Sequence, residues 1–457
     1  LPLSAPWPGH AWWEDYGDGQ LNSLVALAAA QSPTLRMAQA RVRQAAGAAQ
    51  ASGSGLFPRV EASGQALYTR YNEQAYESGA VAGSEHWDNN LLASAEYSLD
   101  LWGKNQAAYA EGLDNLAAAA AEGQAARLVL ETAVVRAYIS LARQYALLDV
   151  AQRTLAQRQG VLDITRKLLE AGMGTELAVS QAQTPIPAAR SQIAEIEASI
   201  AVEKYQIAAL TGQGPEAAEK ILPPALSFAA TPALPLDLPA ELAGHRPDVV
   251  AQLWRVEAAG QGIEQAKAAF YPNINLLAAV GYVSIGLEHF LTVSAGNSYV
   301  GPAISLPLFE GGRLTGNLET RTGEYDEAVE SYNQTVINAL AAIASQASRL
   351  KSLEAQAAET AEALRLARRA YDIASRGYRV GLTDYLNVLA AEKDLLDAEE
   401  RGVSIAAERM DAHAALMQEL GGGYAVRSEN AAMERLPDPL ALPEPPAGLP
   451  PQTGERP

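Results

Sequence analysis

The segment 91–101, LLASAEYSLDL, presents a wholly apolar face and a mainly polar face when its residues are taken alternately. The apolar set is Leu91, Ala93, Ala95, Tyr97, Leu99 and Leu101, and the other set is Leu92, Ser94, Glu96, Ser98 and Asp100. A period of two is that of a β-strand with one face in apolar surroundings. About ten residues is also the length that a tilted strand needs to cross a bilayer. The segment therefore predicts a membrane-crossing strand.

Three more segments alternate in a similar way. The predicted strands are 58–70, 90–101, 273–284 and 298–308, joined in pairs by the polar loops 72–88 and 285–297. Residues 268–287 carry no charge and invite interpretation as a spanning helix, but proline, glycine and asparagine interrupt this region repeatedly. Helix-breaking residues at that density favour short strands over a spanning helix.

Two stretches show coiled-coil periodicity. No proline occurs from Lys104 to Glu170, where Val134, Leu141, Leu148, Leu155, Leu162 and Leu169 recur every seven residues, with Tyr138 and Tyr145 between them. The second stretch steps by four and three through Tyr325, Val329, Tyr332, Val336, Ala339, Ile343, Gln346, Leu350, Leu353, Ala357, Thr360, Leu364, Ala367, Tyr371, Ala374 and Tyr378. Such a sustained period is a coiled-coil seam, and the proline-free helix would run about 100 Å. The sequence predicts two coiled-coil hairpins, at about 104–211 and about 315–421.

Landmarks follow the same order in the two halves of the chain. Gly172, Leu177, Val179 and Ala182 match Gly381, Leu386, Val388 and Ala391 at a shift of 209 residues, and Pro33 and Pro58 match Pro247 and Pro272 at a shift of 214. The predicted organisation is a first repeat at 1–211, a proline-rich linker at 212–239, a second repeat at 240–423 and a proline-rich tail at 424–457. Pro185 and Pro187 predict a kink in the return helix of the first hairpin.

The composition excludes several kinds of chemistry. The chain has 34 Lys and Arg against 53 Asp and Glu, a formal charge of −19, so a nucleic-acid partner is not expected. Without cysteine, disulfides, iron–sulfur clusters and thiol nucleophiles are excluded. The five histidines are scattered, and neither a phosphate-binding loop nor a Gly-x-Ser-x-Gly motif occurs. No metal, cofactor or enzymatic activity is therefore predicted.

Four strands of this kind cannot close a barrel on their own. An open sheet edge leaves N–H and C=O groups without partners, which lipid does not tolerate. Three copies would supply 12 strands, an even number within the range of outer-membrane barrels. The predicted fold class is therefore a membrane α+β protein. It forms a trimeric 12-stranded β-barrel, continued on one side by a long α-helical coiled-coil barrel.

Six motifs resemble, in this order, those of TolC-like outer-membrane efflux proteins, and among them the lipoprotein branch that serves drug-efflux pumps. They are WWEDYGD (12–18), SLDLWGK (98–104), HRPDV (245–249), AAFYPNI (268–274), LPLFEGGR (306–313) and YRVGLTD (378–384). The resemblance extends from residue 12 to about residue 424.

The resemblance implies a homotrimer in the bacterial outer membrane, in contact with lipid and extending into the periplasm. Its inner end opens when a periplasmic adaptor docks, and an inner-membrane transporter supplies the energy. The implied function is the exit channel of a tripartite multidrug efflux pump for small amphipathic compounds, with no catalytic step. The lipoprotein branch begins with a lipid-bearing cysteine that is missing here, so either the sequence starts after it or the protein is not acylated.

The same resemblance bears on the gate. Family members often carry aspartates at positions that align with Asn387 and Ala390, which leaves Asp384 as the nearest acidic candidate for a ring at the pore mouth. The predicted gate residues are Asp384, Asn387, Tyr378 and Arg379. Three like charges around a narrow opening would favour cations. The alternative for Asp384 is a helix N-cap, and the two roles can coexist.

Two further sets of residues are predicted to make contacts. The adaptor-contact tips are Gly172, Met173 and Gly174 in the first hairpin and Gly381, Leu382 and Thr383 in the second. The alternative is that these glycines merely turn the chain. The membrane-interface aromatics are Phe57, Trp102, Phe270, Tyr271 and Phe309, which lie where strands meet helices. The alternative interpretation is that these aromatic side chains pack at the corner between strand and helix.

Other functions remain open at this point. A duct of the same type could serve protein secretion or metal-ion efflux. A protein of a different class would be a soluble coiled-coil scaffold whose strands form a dimerisation sheet. The scaffold would expose the apolar strand faces to water, at a cost of about 25 cal/mol per Å².

Overall fold

The computed structural model describes residues 9–74, 82–228 and 245–424. Its helices are α1 (Gly19–Gln31), α2 (Pro33–Gly53), α3 (Lys104–Glu170), α4 (Glu176–Gln183), α5 (Pro185–Leu210), α6 (Pro247–Ala268), α7 (Arg313–Arg379) and α8 (Tyr385–Glu419). Its strands are β1 (Arg59–Arg70), β2 (Glu85–Ser98), β3 (Asn273–Ile285) and β4 (Gly296–Ser305). The predicted linker from residue 229 onward and the predicted tail after residue 424 lie outside the described residues.

Helices α3 and α7 each contain 67 residues. The proline-free stretch predicted the bounds of α3, and the structure confirms them. At its start, the Asp100 carboxylate accepts hydrogen bonds from the N–H groups of Asn105 (3.0 Å) and Gln106 (2.8 Å). These bonds satisfy donors that the first helical turn leaves unpaired. No helix in the described part of the chain has a sufficiently apolar stretch of bilayer-spanning length.

The predicted coiled-coil seams are shielded from solvent. Every seam position from Tyr325 to Tyr378 on α7 is buried or half-buried, with Ile343 and Leu350 among the buried ones. On α3, Leu141 and Leu162 are buried, and the other heptad leucines are at least half-buried. The 3.5-residue period therefore marks the faces along which these helices pack.

The chain forms two compact units. The hairpin unit comprises Leu1–Ala40, Ala121–Val250 and Asn333–Arg427, and contains both hairpin tips. The sheet unit comprises Arg41–Ala120 and Ala251–Tyr332, and contains all four strands.

Asp18 organises part of the core of the hairpin unit. Its Oδ1 caps α1 by accepting hydrogen bonds from the N–H groups of Gln20 (2.8 Å) and Leu21 (3.2 Å). Its Oδ2 accepts hydrogen bonds from the Tyr138 hydroxyl and from the Ala225 N–H, both at 2.9 Å. One buried carboxylate thus joins α1, α3 and the proline-rich segment at Ala225. The last acid of the WWEDYGD motif has a structural role.

Arg246 fixes the end of α8 within the same unit. It donates two hydrogen bonds to Asp248 (3.1 and 2.8 Å), and its Nη1 donates to the carbonyl (2.8 Å) and carboxylate (2.7 Å) of Glu419. Gly421 follows with φ +85°, and a Cβ there would collide with the His245 carbonyl. The HRPDV motif therefore anchors the C-terminal end of α8.

The four strands form one antiparallel sheet in the order β1-β2-β3-β4. One row across the sheet is Val60, Ala95, Ala278 and Val300, and the next is Glu61, Ser94, Ala279 and Tyr299. Since side chains alternate along each strand, the first row belongs to one face and the second to the other. The register therefore gathers the apolar sets of the four strands on one face.

Two strands differ from their predicted bounds by three or more residues at one end or both. β2 begins at Glu85 instead of 90 and ends at Ser98 instead of 101. Its polar first residues pair with β1, which an apolar alternation cannot reveal, and the chain then leaves the sheet so that Asp100 can cap α3. β4 ends at Ser305 instead of 308, shortly before Pro307, which has no N–H to donate to a ladder.

The kink expected in the first hairpin is an interruption between two helices. α4 ends at Gln183 and α5 begins at Pro185, with Thr184 as the single residue between them. Thr184 keeps helical dihedral angles, φ −54° and ψ −43°, so the backbone at the interruption remains in the helical region. Proline is favourable at the first position of α5, because an N–H group at that position would have no acceptor within α5 itself.

Candidate functional site at the hairpin tips

The first hairpin tip is a Schellman turn. The N–H of Gly172 donates to the Leu169 carbonyl, and the N–H of Met173 donates to the Leu168 carbonyl, both at 2.9 Å. Gly172 has φ +71°, the left-handed conformation that this turn requires. The side chain of Thr175 then caps α4 by accepting a backbone hydrogen bond.

The second tip repeats the same construction. The N–H of Gly381 donates to the Tyr378 carbonyl (3.1 Å), and the N–H of Leu382 donates to the Gly377 carbonyl (2.8 Å). Gly381 has φ +74°, and Asp384 caps α8. The structure confirms that Gly172 and Gly381 turn the chain. The contacts of the neighbouring side chains are a separate question.

Large apolar side chains at both tips are exposed. In the first tip, Met173 is 74% exposed and Leu177 is also exposed. In the second tip, Leu382 is 84% exposed, and Val380 and Leu386 are exposed as well. Isolated exposed apolar residues are common, but a cluster of this kind is typical of a protein contact surface.

Two of the six predicted tip residues face inward. A Cβ on Gly174 would lie 2.8 Å from the backbone nitrogen of Leu169, so Gly174 permits close packing of the turn on α3. The methyl group of Thr383 lies next to Gly377. Gly172 and Gly381 carry no side chain, so the exposed side chains of the predicted set are those of Met173 and Leu382.

Asp384 serves as the N-cap of α8. Its Oδ1 accepts hydrogen bonds from the backbone N–H (3.1 Å) and the side-chain Nδ2 (2.8 Å) of Asn387. The Asn387 Nδ2 also donates to the Thr383 hydroxyl (2.9 Å). The capping interpretation of Asp384 is confirmed, and it accounts for the position of Asn387 beside it.

The other two predicted gate residues differ in their contacts. The Tyr378 hydroxyl lies 2.9 Å from the Thr165 hydroxyl on α3, and its ring centroid lies 5.9 Å from that of Tyr385. Arg379 donates to the Ser375 hydroxyl (3.1 Å), within α7. Tyr378 thus links the two hairpins, whereas this bond of Arg379 stays within its own helix.

An ion pair near the tips was not predicted from the sequence. Arg158 on α3 donates from Nε to Glu392 on α8 at 2.8 Å. Burial, and secondarily the charge of Glu392, raises the pKa of the neighbouring Tyr385 to about 12. Glu392 follows Tyr385 by seven residues, so it occupies a seam position that normally holds an apolar side chain. A charged residue at a seam position is the feature of the sequence that could have predicted an ion pair at Glu392.

The aromatic residues at the junction of strands and helices lie within the sheet unit. Trp102 stacks on Tyr271 with ring centroids 4.6 Å apart, and its Nε1 donates to the Pro272 carbonyl (2.9 Å). Both rings remain exposed, as do Phe57, Phe270 and Phe309. Packing at the corner therefore accounts for Trp102 and Tyr271, while an apolar surface remains for a further contact.

The described residues contain no group of three or more His, Cys, Asp or Glu side chains that could hold a metal ion. The tips present exposed apolar side chains, which suit binding to another protein.

Comparison with known proteins gives consistent relationships. Multidrug resistance outer membrane protein MdtP of Escherichia coli K12 is 32% identical over 437 residues, which cover 92% of this chain and 88% of that protein. Fusaric acid resistance protein FusA of Burkholderia cepacia is 42% identical over 317 residues, which cover 69% of this chain and only 60% of that protein.

Solved structures agree. The outer membrane protein VceC of Vibrio cholerae superposes with a TM-score of 0.84 at 36% identity, covering 91% of this chain and 100% of that chain. The outer-membrane channel OprN gives a TM-score of 0.84 at 26% identity, covering 92% of this chain and 94% of that chain. The family model described as outer membrane efflux protein matches residues 24–213 and 238–422, which contain five of the six motifs, and it confirms the resemblance to this family. The chain belongs to the outer membrane efflux protein family.

Proposed function

We propose that the protein is the outer-membrane exit channel of a tripartite multidrug efflux pump. It passes small amphipathic compounds from an inner-membrane transporter and a periplasmic adaptor to the cell exterior. The family match carries this proposal, because it includes both strand pairs and both hairpins. The words "multidrug resistance outer membrane protein" in the name of MdtP support drugs as the cargo and the outer membrane as the location.

The sheet supports a homotrimer. The strand order leaves β1 and β4 at the edges, and within the described residues neither edge pairs with a fifth strand. Pairing of β1 with β4 of the next copy satisfies both edges, and three copies close a 12-stranded barrel. The row Val60, Ala95, Ala278 and Val300 faces lipid, and the row that contains Glu61 faces the channel. The exposed aromatics at the strand ends lie at the membrane interface.

The hairpin tips are the surface that meets the adaptor. Met173 and Leu382 project from turns of the same construction, so an adaptor can bind both tips of each subunit in equivalent ways. Burial of their side chains would contribute about 1.5–3 kcal/mol each. The gate lies beside this surface, where three copies of Asp384 form a ring that favours cations.

Light scattering on the purified protein tests the assembly. A trimer near three times 48.3 kDa in detergent, which aggregates when detergent is withdrawn, supports the channel. A monodisperse monomer or dimer in plain buffer contradicts it and favours the coiled-coil scaffold. Expression in a strain that lacks its own exit channels then identifies the cargo. Restored resistance to drugs supports the proposal, whereas restored metal resistance or protein secretion favours the alternative ducts.

A further inference from the structure

A cleft of about 890 Å³ lies where the strands of the sheet unit meet its helices, and every residue that lines it belongs to that unit. Six of the lining residues are in strands, and they share the face of the sheet that carries Glu61: Arg59, Glu96, Ser98, Asn273, Asn275 and Ser305. Under the proposed function that face lines the channel, so the cleft belongs to the channel side. Its volume is within the range of about 300–1,000 Å³ that is typical of pockets for drug-sized ligands.

Two stacked aromatic rings form part of the wall of this cleft. The ring centroids of Trp102 and Tyr271 lie 4.6 Å apart, and the ring planes are inclined by 19°. The hydrogen bond from the Trp102 Nε1 to the Pro272 carbonyl fixes the orientation of the indole ring. Trp102 and Tyr271 are nevertheless 48% and 51% exposed. The stack therefore offers a rigid apolar surface against which a flat ligand ring can pack.

Three of the five charged side chains that line the cleft have charged or hydrogen-bonding partners within the protein. Arg59 forms an ion pair with Glu61 (3.0 Å), and Arg313 forms one with Glu310. The two carboxylate oxygens of Asp100 accept backbone N–H groups at the start of α3. The charges of these three groups are therefore compensated inside the protein.

The other two charged side chains have opposite signs. Glu96 accepts a hydrogen bond from the Asn275 Nδ2 (2.7 Å), which positions its carboxylate, and it forms no salt bridge with a described residue. Lys104, the first residue of α3, has no acidic partner within the described ranges either. The cleft thus presents one carboxylate and one ammonium group for a ligand, beside an aromatic surface.

We propose that this cleft binds zwitterionic aromatic compounds as they pass through the channel. The ammonium group of the ligand lies at Glu96, its carboxylate lies at Lys104, and its ring packs against the stack of Trp102 and Tyr271. The inference rests on the proposed channel function, and it names a class of cargo for it. Binding is brief, because a conducting channel must release what it binds.

Ciprofloxacin is the probe, because it carries a carboxylate at one end of a fused aromatic ring and an ammonium group at the other. Its methyl ester keeps only the positive charge, and its N-acetyl derivative keeps only the negative charge. Equilibrium dialysis against trimers in nanodiscs, with empty nanodiscs as the background, gives the Kd of each compound. We expect the wild-type trimer to bind ciprofloxacin about tenfold more tightly than either derivative, which corresponds to about 1.4 kcal/mol. Equal Kd values for the three compounds, or no binding above the background, would overturn the proposal.

Two charge variants identify which group holds each end of the ligand. Glu96→Gln is expected to weaken the binding of ciprofloxacin and its methyl ester about tenfold and to leave the N-acetyl derivative unchanged. Lys104→Met is expected to weaken ciprofloxacin and the N-acetyl derivative and to leave the methyl ester unchanged. Glu288→Gln and Lys351→Met are the matched controls, since they make the same changes at exposed positions outside the cleft. Both controls should match the wild type.

An equal effect of each charge variant on all three compounds would contradict the assigned positions of the two charges. If Glu96→Gln fails to assemble, Lys104→Met carries the test, since Lys104 has no ion pair with a described residue to lose.

Trp102→Leu tests the aromatic wall. It is expected to weaken all three compounds to the same extent, because each of them keeps the ring system. Trp87→Leu is the control, since Trp87 is exposed near the other end of β2, and it should leave the three Kd values unchanged. Unchanged Kd values in the Trp102→Leu trimer would contradict the role of the stack.

Current through the wild-type trimer in planar bilayers separates this proposal from the proposed function. Binding without current would contradict the channel function and leave the site in place. Current without binding would overturn the site alone.

Discussion

At the scale of single residues, Asp384 combines two roles that can be separated. We expect Asp384→Ala to lower the cation preference of the channel, because it removes the ring of charge, and also to destabilise α8 by about 1 kcal/mol, because it removes the cap. Asp384→Ser keeps a good cap without the charge. Permeability ratios in planar bilayers measure the outcome. A loss of preference in both variants supports the gate, a loss only in Asp384→Ala assigns the effect to the cap, and unchanged selectivity in both removes Asp384 from the gate.

His413 makes the stability of the hairpin unit sensitive to acid. Its Nδ1 lies 2.9 Å from the Tyr16 hydroxyl, its ring is only 3% exposed, and burial lowers its pKa to about 4. The unfolded chain therefore binds this proton more readily than the folded chain does. The stabilisation from neutral His413 is complete above about pH 6.5 and is lost as the pH falls toward 4, by up to about 3 kcal/mol per subunit.

The measurement is thermal unfolding between pH 4 and pH 7. His413→Gln should flatten the dependence on pH, and His289→Gln, at an exposed position, should leave it as in the wild type. An equally steep loss of stability in the His413→Gln variant would show that other groups cause it.

At the scale of elements, the turns at the tips depend on backbone conformation. Gly381 has φ +74°, and no neighbouring atom lies within 4 Å of the place that a Cβ would occupy, so Gly381→Ala introduces backbone strain without a side-chain collision. We expect a destabilisation of about 1–2 kcal/mol. Gly323→Ala is the control, because Gly323 lies within α7 with equally free surroundings, and alanine there should stabilise the helix by about 0.5–1 kcal/mol. The midpoints of thermal unfolding of the two variants in detergent should move in opposite directions. A shift of the same sign in both would contradict the left-handed conformation of Gly381.

At the scale of the whole molecule, the two faces of the sheet should respond differently to charge. Val300 and Tyr299 are neighbours on β4 but belong to opposite rows. Val300→Lys places a charge on the lipid face and is expected to destabilise the inserted trimer by about 2–4 kcal/mol. Tyr299→Lys places the same charge toward the channel and should be tolerated. The yield of assembled trimer in membranes measures the difference, and equal yields would contradict the proposed orientation of the sheet.

The sequence by itself determined the elements whose signal is periodic and local. The heptads from Val134 to Leu169 and the proline-free stretch identified α3, and the alternation in 91–101 identified β2, because each pattern reflects the geometry of one element. The family resemblance was also present in the six motifs. The polar first residues of β2 escaped prediction because they carry no apolar alternation.

Only the tertiary structure decided which residues meet across long separations in the chain. Arg158 and Glu392 are 234 residues apart, and Tyr138 and Asp18 are 120 apart. Nothing in the sequence indicates which partner each of these side chains meets. Their roles arise from the packing of one helix against another, because burial removes water from a charge and makes its partner matter.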